Sequence, residues 1–219
     1  MNNNINIKNF AGVNAQMLLD GGLKKIAESG GRPKLLLHAC CAPCSSYVLE
    51  YLSNFFDITL YFYNPNITPE AEYTYRAEEL RRLIGEMGLE GGVSLSVSKY
   101  NSDEFYNMVK GLEDEPEGGS RCARCYRLRL EASARYAAEQ RFDYFTTTLS
   151  ISPYKNSRWL NEIGAELSEV YGVKYLFSDF KKKNGYKRSC ELSEIYGLYR
   201  QDYCGCGFSR AQRDRKNKQ

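Results

Sequence analysis

Lys34-Leu35-Leu36-Leu37-His38 runs directly into Ala39-Cys40-Cys41-Ala42-Pro43-Cys44-Ser45-Ser46. The first five residues form a short apolar run, the pattern of a strand buried on both faces. The thiols that follow fall in a strand-to-helix turn, and Tyr47 to Asn54 reads as helix. A second strand, Ile58 to Tyr63, stops at Asn64-Pro65-Asn66. Thr68-Pro69-Glu70 looks like a helix start, with a capping hydroxyl, proline in the first turn and an acid beside it. That helix runs to Met87, before Gly88. Downstream come a strand at 93–97, a helix from Asp103 to about Leu112, and the acidic loop Glu113–Ser120. Then follow a helix over Tyr126–Gln140, a strand over Asp143–Thr148, a helix over Asn156–Tyr171 and a short strand over Val173–Phe177. A last helix is expected over Glu191–Tyr199. Strands alternating with helices specify a single α/β domain with a mostly parallel sheet flanked by helices. Such sheets place their sites at the carboxyl ends of the strands, which is where Cys40–Cys44 would lie. The chain divides into an N-terminal extension with a helix (1–30), the main domain (31–209) and a basic, frayed tail (210–219).

The 219 residues contain eight cysteines and one histidine. A lone imidazole excludes metal sites built on two or three histidines. Met1–Phe10 is polar and Asn-rich, unlike a secretory signal, and no run reaches membrane-spanning length. A cytoplasmic chain is therefore expected, where disulfides do not persist, leaving the thiols as metal ligands, redox groups or packed residues. Seven of them fall in three motifs: Cys40, Cys41 and Cys44; Cys122 and Cys125; Cys204 and Cys206. Helix starts and glycine-rich turns favour thiolates, because free N–H groups and the helix dipole stabilise them. Structural zinc, a thioredoxin-like dithiol at Cys41 and Cys44, a cubane cluster, and a cluster with a second metal all remain open on these residues. Cys190 stands apart and reads as a packed residue.

From Lys174 onward, twelve Lys/Arg face five Asp/Glu, a net +7 in a chain of net +3. Lys181, Lys182, Lys183, Lys187 and Arg188 are the densest part. Either they face solvent or they contact nucleic-acid phosphates.

The residues Leu35–Ser45, Tyr63-Asn64-Pro65-Asn66-Ile67 with Glu72, Tyr73 and Arg76, and Arg121–Arg129 carry a resemblance, as do Thr147-Thr148-Leu149 with Ser152, Lys155 and Asn156, and Gly197–Cys206. Together they resemble the cobalamin-independent, QueH-type epoxyqueuosine reductase family. The resemblance implies an oxidoreductase in tRNA processing, which deoxygenates epoxyqueuosine at the anticodon wobble position to queuosine, the last step of queuosine biosynthesis. It also implies a [4Fe-4S] cluster, an adjacent mononuclear iron, tRNA as partner, an external electron donor, and a core like that of the ATP-pyrophosphatase and tRNA-thiolation (HUP-like) enzymes. The loop after the first strand has no Ser-Gly-Gly-x-Asp-Ser or Walker pattern, so no phosphate-binding loop and no ATP requirement are expected.

Within that reading, Cys122, Cys125 and one of Cys40/Cys41 are expected to anchor the cluster, with Cys44, Cys204 and Cys206 near the second iron. Tyr63, Tyr73, Tyr126 and Tyr203 are candidate proton donors, although packing is the plainer role in a chain of 18 tyrosines. His38 also sits near a motif loop, but reads better as a hydrogen-bonded core residue. Arg76 would bind phosphate or orient a carboxylate. Lys181, Lys182, Lys183, Lys187 and Arg188, with Arg200, would hold anticodon phosphates. The alternative is a zinc-stabilised RNA-binding protein without redox activity; a thiol oxidoreductase is a third reading.

Overall fold

The computed structural model describes residues 12–217. Five parallel strands form one sheet: β1 (Lys34–His38), β2 (Asp57–Phe62), β3 (Val93–Val97), β4 (Tyr144–Thr147) and β5 (Lys174–Tyr175). Their order is β3-β2-β1-β4-β5. The chain builds outward from β1 to β3, then crosses back to place β4 on the other side of β1. That reversal opens a crevice at the carboxyl ends of β1 and β4.

Successive residues of a strand face opposite sides of its sheet. Leu35 and Leu37 accordingly enter the core beneath α1 (Ala15–Ser29), α2 (Ala42–Leu52) and α3 (Glu70–Glu86), whereas Leu36 packs toward α5 (Ser120–Glu139) and α6 (Ser157–Tyr171). Apolar residues on both faces make β1 the centre of the molecule, and its end is correspondingly fixed. The remaining helices are α4 (Asp103–Met108), α7 (Gly185–Ile195) and α8 (Gly207–Lys216).

The first eleven positions of the expected N-terminal extension lie outside the described residues. Its helix, α1, is part of the core, with Leu19, Leu23 and Ile26 packed inside it. Asn14 caps α1 by accepting from the Gln16 and Met17 N–H groups.

Several element starts differ from expectation. α2 begins at Ala42, not Tyr47, because proline is accommodated in a first helical turn. α5 begins at Ser120, six residues before Tyr126, so Cys122 and Cys125 are helical. Thr68 does not cap α3; Pro69 occupies the cap position, and the Thr68 N–H donates to the Gly205 carbonyl at 3.0 Å. α7 covers Gly185–Ile195 rather than Glu191–Tyr199, since Gly197 turns the chain with a φ of +54°. Cys190 therefore lies within that helix. The segment after Arg210, read as frayed, continues α8 as far as Lys216.

Candidate metal centre

His38 ends β1 and ties three strand ends together. Its Nε2 lies 3.1 Å from the Tyr63 carbonyl, an acceptor only, so Nε2 carries the proton. Nδ1 then accepts from the Thr147 hydroxyl at 2.9 Å. Complete burial, followed by the nearby Arg129 charge, lowers the His38 pKa to about 4 and keeps the ring neutral. His38 is thus the hydrogen-bonded core residue that its position suggested.

Cys40, Cys41 and Cys44 follow at once. Their sulfurs lie within 4.8 Å of one another, with Cys40 and Cys41 at 3.7 Å. Cys41 occupies the N-cap of α2. Hydrogen bonds from Cys40 and then Cys44 hold its thiol well below the usual value, overcoming burial, and Arg76 adds to the effect. The bond with Cys41 pushes the Cys40 thiol up against a lowering contribution from Cys44, and bonds with Cys40 and then Cys41 push the Cys44 thiol well up. Cys41 is consequently the first of the three to ionise.

The other four motif cysteines line one cavity, together with Asn66, Tyr126, Arg129 and Lys155. Cys122 lies in the first turn of α5, where its sulfur accepts from the Gly118 N–H at 3.3 Å. Cys125 follows one turn later, and burial raises its thiol to about 11. Burial likewise raises Cys206 to about 12. Metal coordination deprotonates such thiols, so these values belong to the unligated groups.

The Cys204–Cys206 turn is anchored from several directions. Lys155 Nζ lies 3.3 Å from Cys204 Sγ and 3.5 Å from Glu117 Oε1. Ser209 accepts from the Cys204 N–H and donates to Glu117 Oε2, each at 3.1 Å. Arg76 donates to the Cys204 carbonyl at 3.4 Å while paired with Glu72 at 2.7 Å. Burial opposes the Lys155 charge, but Cys204, Tyr126 and Glu117 outweigh it and raise its pKa.

Around this end of the sheet, several buried polar atoms have no partner among the described residues: Asn64 Oδ1, Asn66 Oδ1, Arg76 Nη2, Arg129 Nη2 and Thr148 Oγ1. Proteins leave few such atoms unsatisfied, so their gathering beside seven thiols fits a place built to receive further groups. Tetrahedral bonds of about 2.3 Å to one ion put sulfurs just under ~4 Å apart, which suits the Cys40–Cys44 trio. Four thiols around one cavity suit a cluster.

The family model described as epoxyqueuosine reductase QueH matches residues 35–212. The chain belongs to the QueH epoxyqueuosine reductase family. The chain is similar to proteins named epoxyqueuosine reductase QueH from several bacteria. The one from Streptococcus pyogenes serotype M1 is 49% identical over 180 residues, covering 81% of this chain and 71% of the relative. That from Staphylococcus epidermidis is 44% identical over 204 residues, covering 90% and 86%. That from Thermotoga maritima is 37% identical over 186 residues, covering 84% and 93%. All seven motif cysteines fall within the stretch matched to the family.

The other candidate residues are distributed unevenly. Tyr126 lines the cavity, and no hydrogen bond engages its hydroxyl among the described residues. Tyr63 donates to Glu104, which Asn101 supports from 3.1 Å. Tyr203 lies under Arg76 and Arg213, with ring distances of 5.5 and 4.7 Å. Tyr73 is outside the cavity, and its hydroxyl faces the carbonyls of Phe62 at 3.1 Å and Ser98 at 2.7 Å.

The basic cluster is largely paired: Lys181 with Asp179, Lys183 with Asp20, and Arg188 with Glu50 and Glu191. Lys182 and Lys187 are exposed and make no ion pair among the described residues. Arg129, Glu117 and Glu104 were not singled out by sequence reasoning. Arg129 lay inside a matching motif, but its burial depends on the fold. No described helix is long and apolar enough to cross a membrane.

Proposed function

We propose that this chain reduces epoxyqueuosine in the tRNA anticodon to queuosine, the last step of queuosine biosynthesis, with iron held by its seven motif cysteines. The observation carrying the reading is two adjoining thiol sets, one of three and one of four, in a chain of the QueH family. Opening the epoxide to an alkene consumes two electrons and two protons and releases water, so electrons from an external donor are required. The strand order β3-β2-β1-β4-β5 also supports the HUP-like core.

Cys122, Cys125, Cys204 and Cys206 would hold the [4Fe-4S] cluster, and Cys40, Cys41 and Cys44 the mononuclear iron. This grouping differs from the division expected from sequence, because Cys44 lies with Cys40 and Cys41. Three thiols leave a fourth position for a substrate oxygen. When bound, the two groups supply single electrons and Lewis acidity. Tyr126, which lines the cavity and whose hydroxyl has no hydrogen-bond partner among the described residues, is the favoured proton donor; Tyr203 is a second candidate. Tyr63 is already engaged in donating to Glu104, and the carbonyl contacts of Tyr73 favour a structural role.

Lys182 and Lys187 are the members of the basic cluster free to meet tRNA phosphates. Lys182 lies in the segment between β5 and α7, and Lys187 in the first turn of α7.

The test is anaerobic purification, iron and sulfide analysis, and turnover of epoxyqueuosine-containing tRNA with a chemical reductant. The reading expects brown protein, at least four irons per chain and queuosine as product. Colourless, zinc-loaded protein without turnover would favour the zinc-stabilised RNA-binding alternative. Single Cys→Ser variants then test the grouping: Cys122→Ser loses cluster absorbance, whereas Cys44→Ser loses iron and keeps the cluster.

A further inference from the structure

Arg129 is among the largest fully buried side chains, with 1% exposure. A buried guanidinium without a counter-charge costs several kcal/mol, roughly, so such groups are normally paired. Arg76, the other fully buried arginine of the site, meets that requirement through Glu72. Arg129 has no carboxylate partner among the described residues. Its Nε donates to the Cys125 carbonyl at 3.2 Å, its Nη2 has no partner among the described residues, and its guanidinium carbon lies 5.8 Å from the centre of the Tyr126 ring. Burial opposes its charge, but Cys125, Cys204, Cys40 and Tyr126 lie close enough to favour it and raise its pKa. Cys125 and Cys204 belong to the four-thiol set and Cys40 to the three-thiol set. Arg129 thus stands at the seam between them.

We propose that Arg129 is a positioning residue whose uncompensated buried charge serves both thiol sets at once, holding iron there and raising the reduction potential of the cluster. The proposal rests on the iron-dependent reading above. Each electron entering the site adds negative charge. A fixed cation at the seam stabilises the reduced state more than the oxidised one, and burial strengthens the effect. A hydrogen-bonding or packing role would not require charge. A role in charge makes one electrostatic lever common to both metal positions.

The experiment compares reconstituted holoprotein of the wild type with Arg129→Met, Arg129→Gln, Arg129→Lys and, as an exposed control on the same helix, Arg127→Met. Cluster midpoint potential is read by EPR-monitored redox titration, and iron loss by a chelator challenge. The neutral variants are expected to shift the midpoint to more negative values and lose iron several-fold faster. Arg129→Lys should restore most of the potential, and Arg127→Met should leave it unchanged. Unshifted potentials in the neutral variants overturn the proposal, as does a Lys variant shifted as far as Met and Gln. If neither neutral variant retains iron, the Lys variant decides: a near-wild-type potential supports the charge role, and a lowered one overturns it. A wild type without iron defeats the functional reading instead, which separates the two failures.

Discussion

Lys155 Nζ lies 3.3 Å from Cys204 Sγ, and the same ammonium reaches Glu117 at 3.5 Å. Its side chain is 9% exposed, so one cation stands between a proposed sulfur ligand and a carboxylate away from most solvent. Lys155→Met removes that cation and leaves the Glu117 carboxylate uncompensated beside the proposed ligand. Metal affinity or turnover should fall by about 10–100-fold, as for other groups that support metal ligands. Glu117→Gln in the same chain should recover part of the loss by removing the opposing charge. Iron content and kcat of the single and double variants check this; an unrecovered double variant would show that Lys155 acts otherwise.

Lys182 and Lys187, the members of the basic cluster with no ion pair among the described residues, should dominate salt-dependent RNA binding. Each phosphate contact contributes roughly 0.7–0.9 to the slope of log affinity against log salt concentration. Lys182→Ala and Lys187→Ala are each expected to flatten the slope by about one unit or less. Lys181→Ala and Arg188→Ala should change it less, because Asp179 and Glu50 already hold those cations at 2.6 and 2.7 Å. Titration of tRNA at several salt concentrations compares the two pairs; equal slopes throughout would remove these lysines from the interface.

Asp20 gives the fold an acid-sensitive tie between α1, α2 and the segment before α7. Burial would raise its pKa, but hydrogen bonds from Lys183, Gln16 and Tyr51 together outweigh burial and lower it from 3.8. The unfolded chain therefore takes up the proton at the higher pH. The stabilisation is complete above the unfolded pKa and disappears as pH falls through the folded one. Asp20→Asn should accordingly destabilise the protein near pH 6, and the difference from wild type should shrink below pH ~4. Urea unfolding of both chains across that range measures it.

The limits of sequence reading follow the range of the forces involved. β1 was legible at Lys34–His38 because an apolar run bounded by polar residues is a local signal. The starts of α2 and α5 were hidden because proline, glycine and closely spaced cysteines resemble a turn until helical hydrogen bonds are seen. The seven thiols were legible as a set, but their grouping depends on how β1, α5 and the segment before α8 meet. Lys183 and Arg188 looked free because Asp20 and Glu50, which neutralise them, lie 163 and 138 residues away in sequence. Arg129 was visible as a residue, but its isolation from any carboxylate was not.

Gly205 separates Cys204 from Cys206 with a φ of +108°, a conformation that side chains strongly disfavour. An added Cβ would also stand 3.0 Å from Ile67 Cγ1 and 3.1 Å from Arg76 Nη1. Both neighbours are buried, and Arg76 is held by Glu72 and the Cys204 carbonyl, so neither has room to withdraw. Gly205→Ala should therefore cost about 1–3 kcal/mol of backbone strain, beyond any packing penalty. Because the strain falls between two proposed ligands, iron bound by the four-thiol set should decline more steeply than thermal stability. Gly207→Ala is the matched comparison: its Cβ would meet the hydroxyl of the partly exposed Tyr106 at 2.9 Å, and that ring can swing outward. Iron content and Tm of the two variants separate the effects. Full iron content in Gly205→Ala would show that the turn holds no metal, whereas iron lost in that variant and retained in Gly207→Ala places the ligands at Cys204 and Cys206.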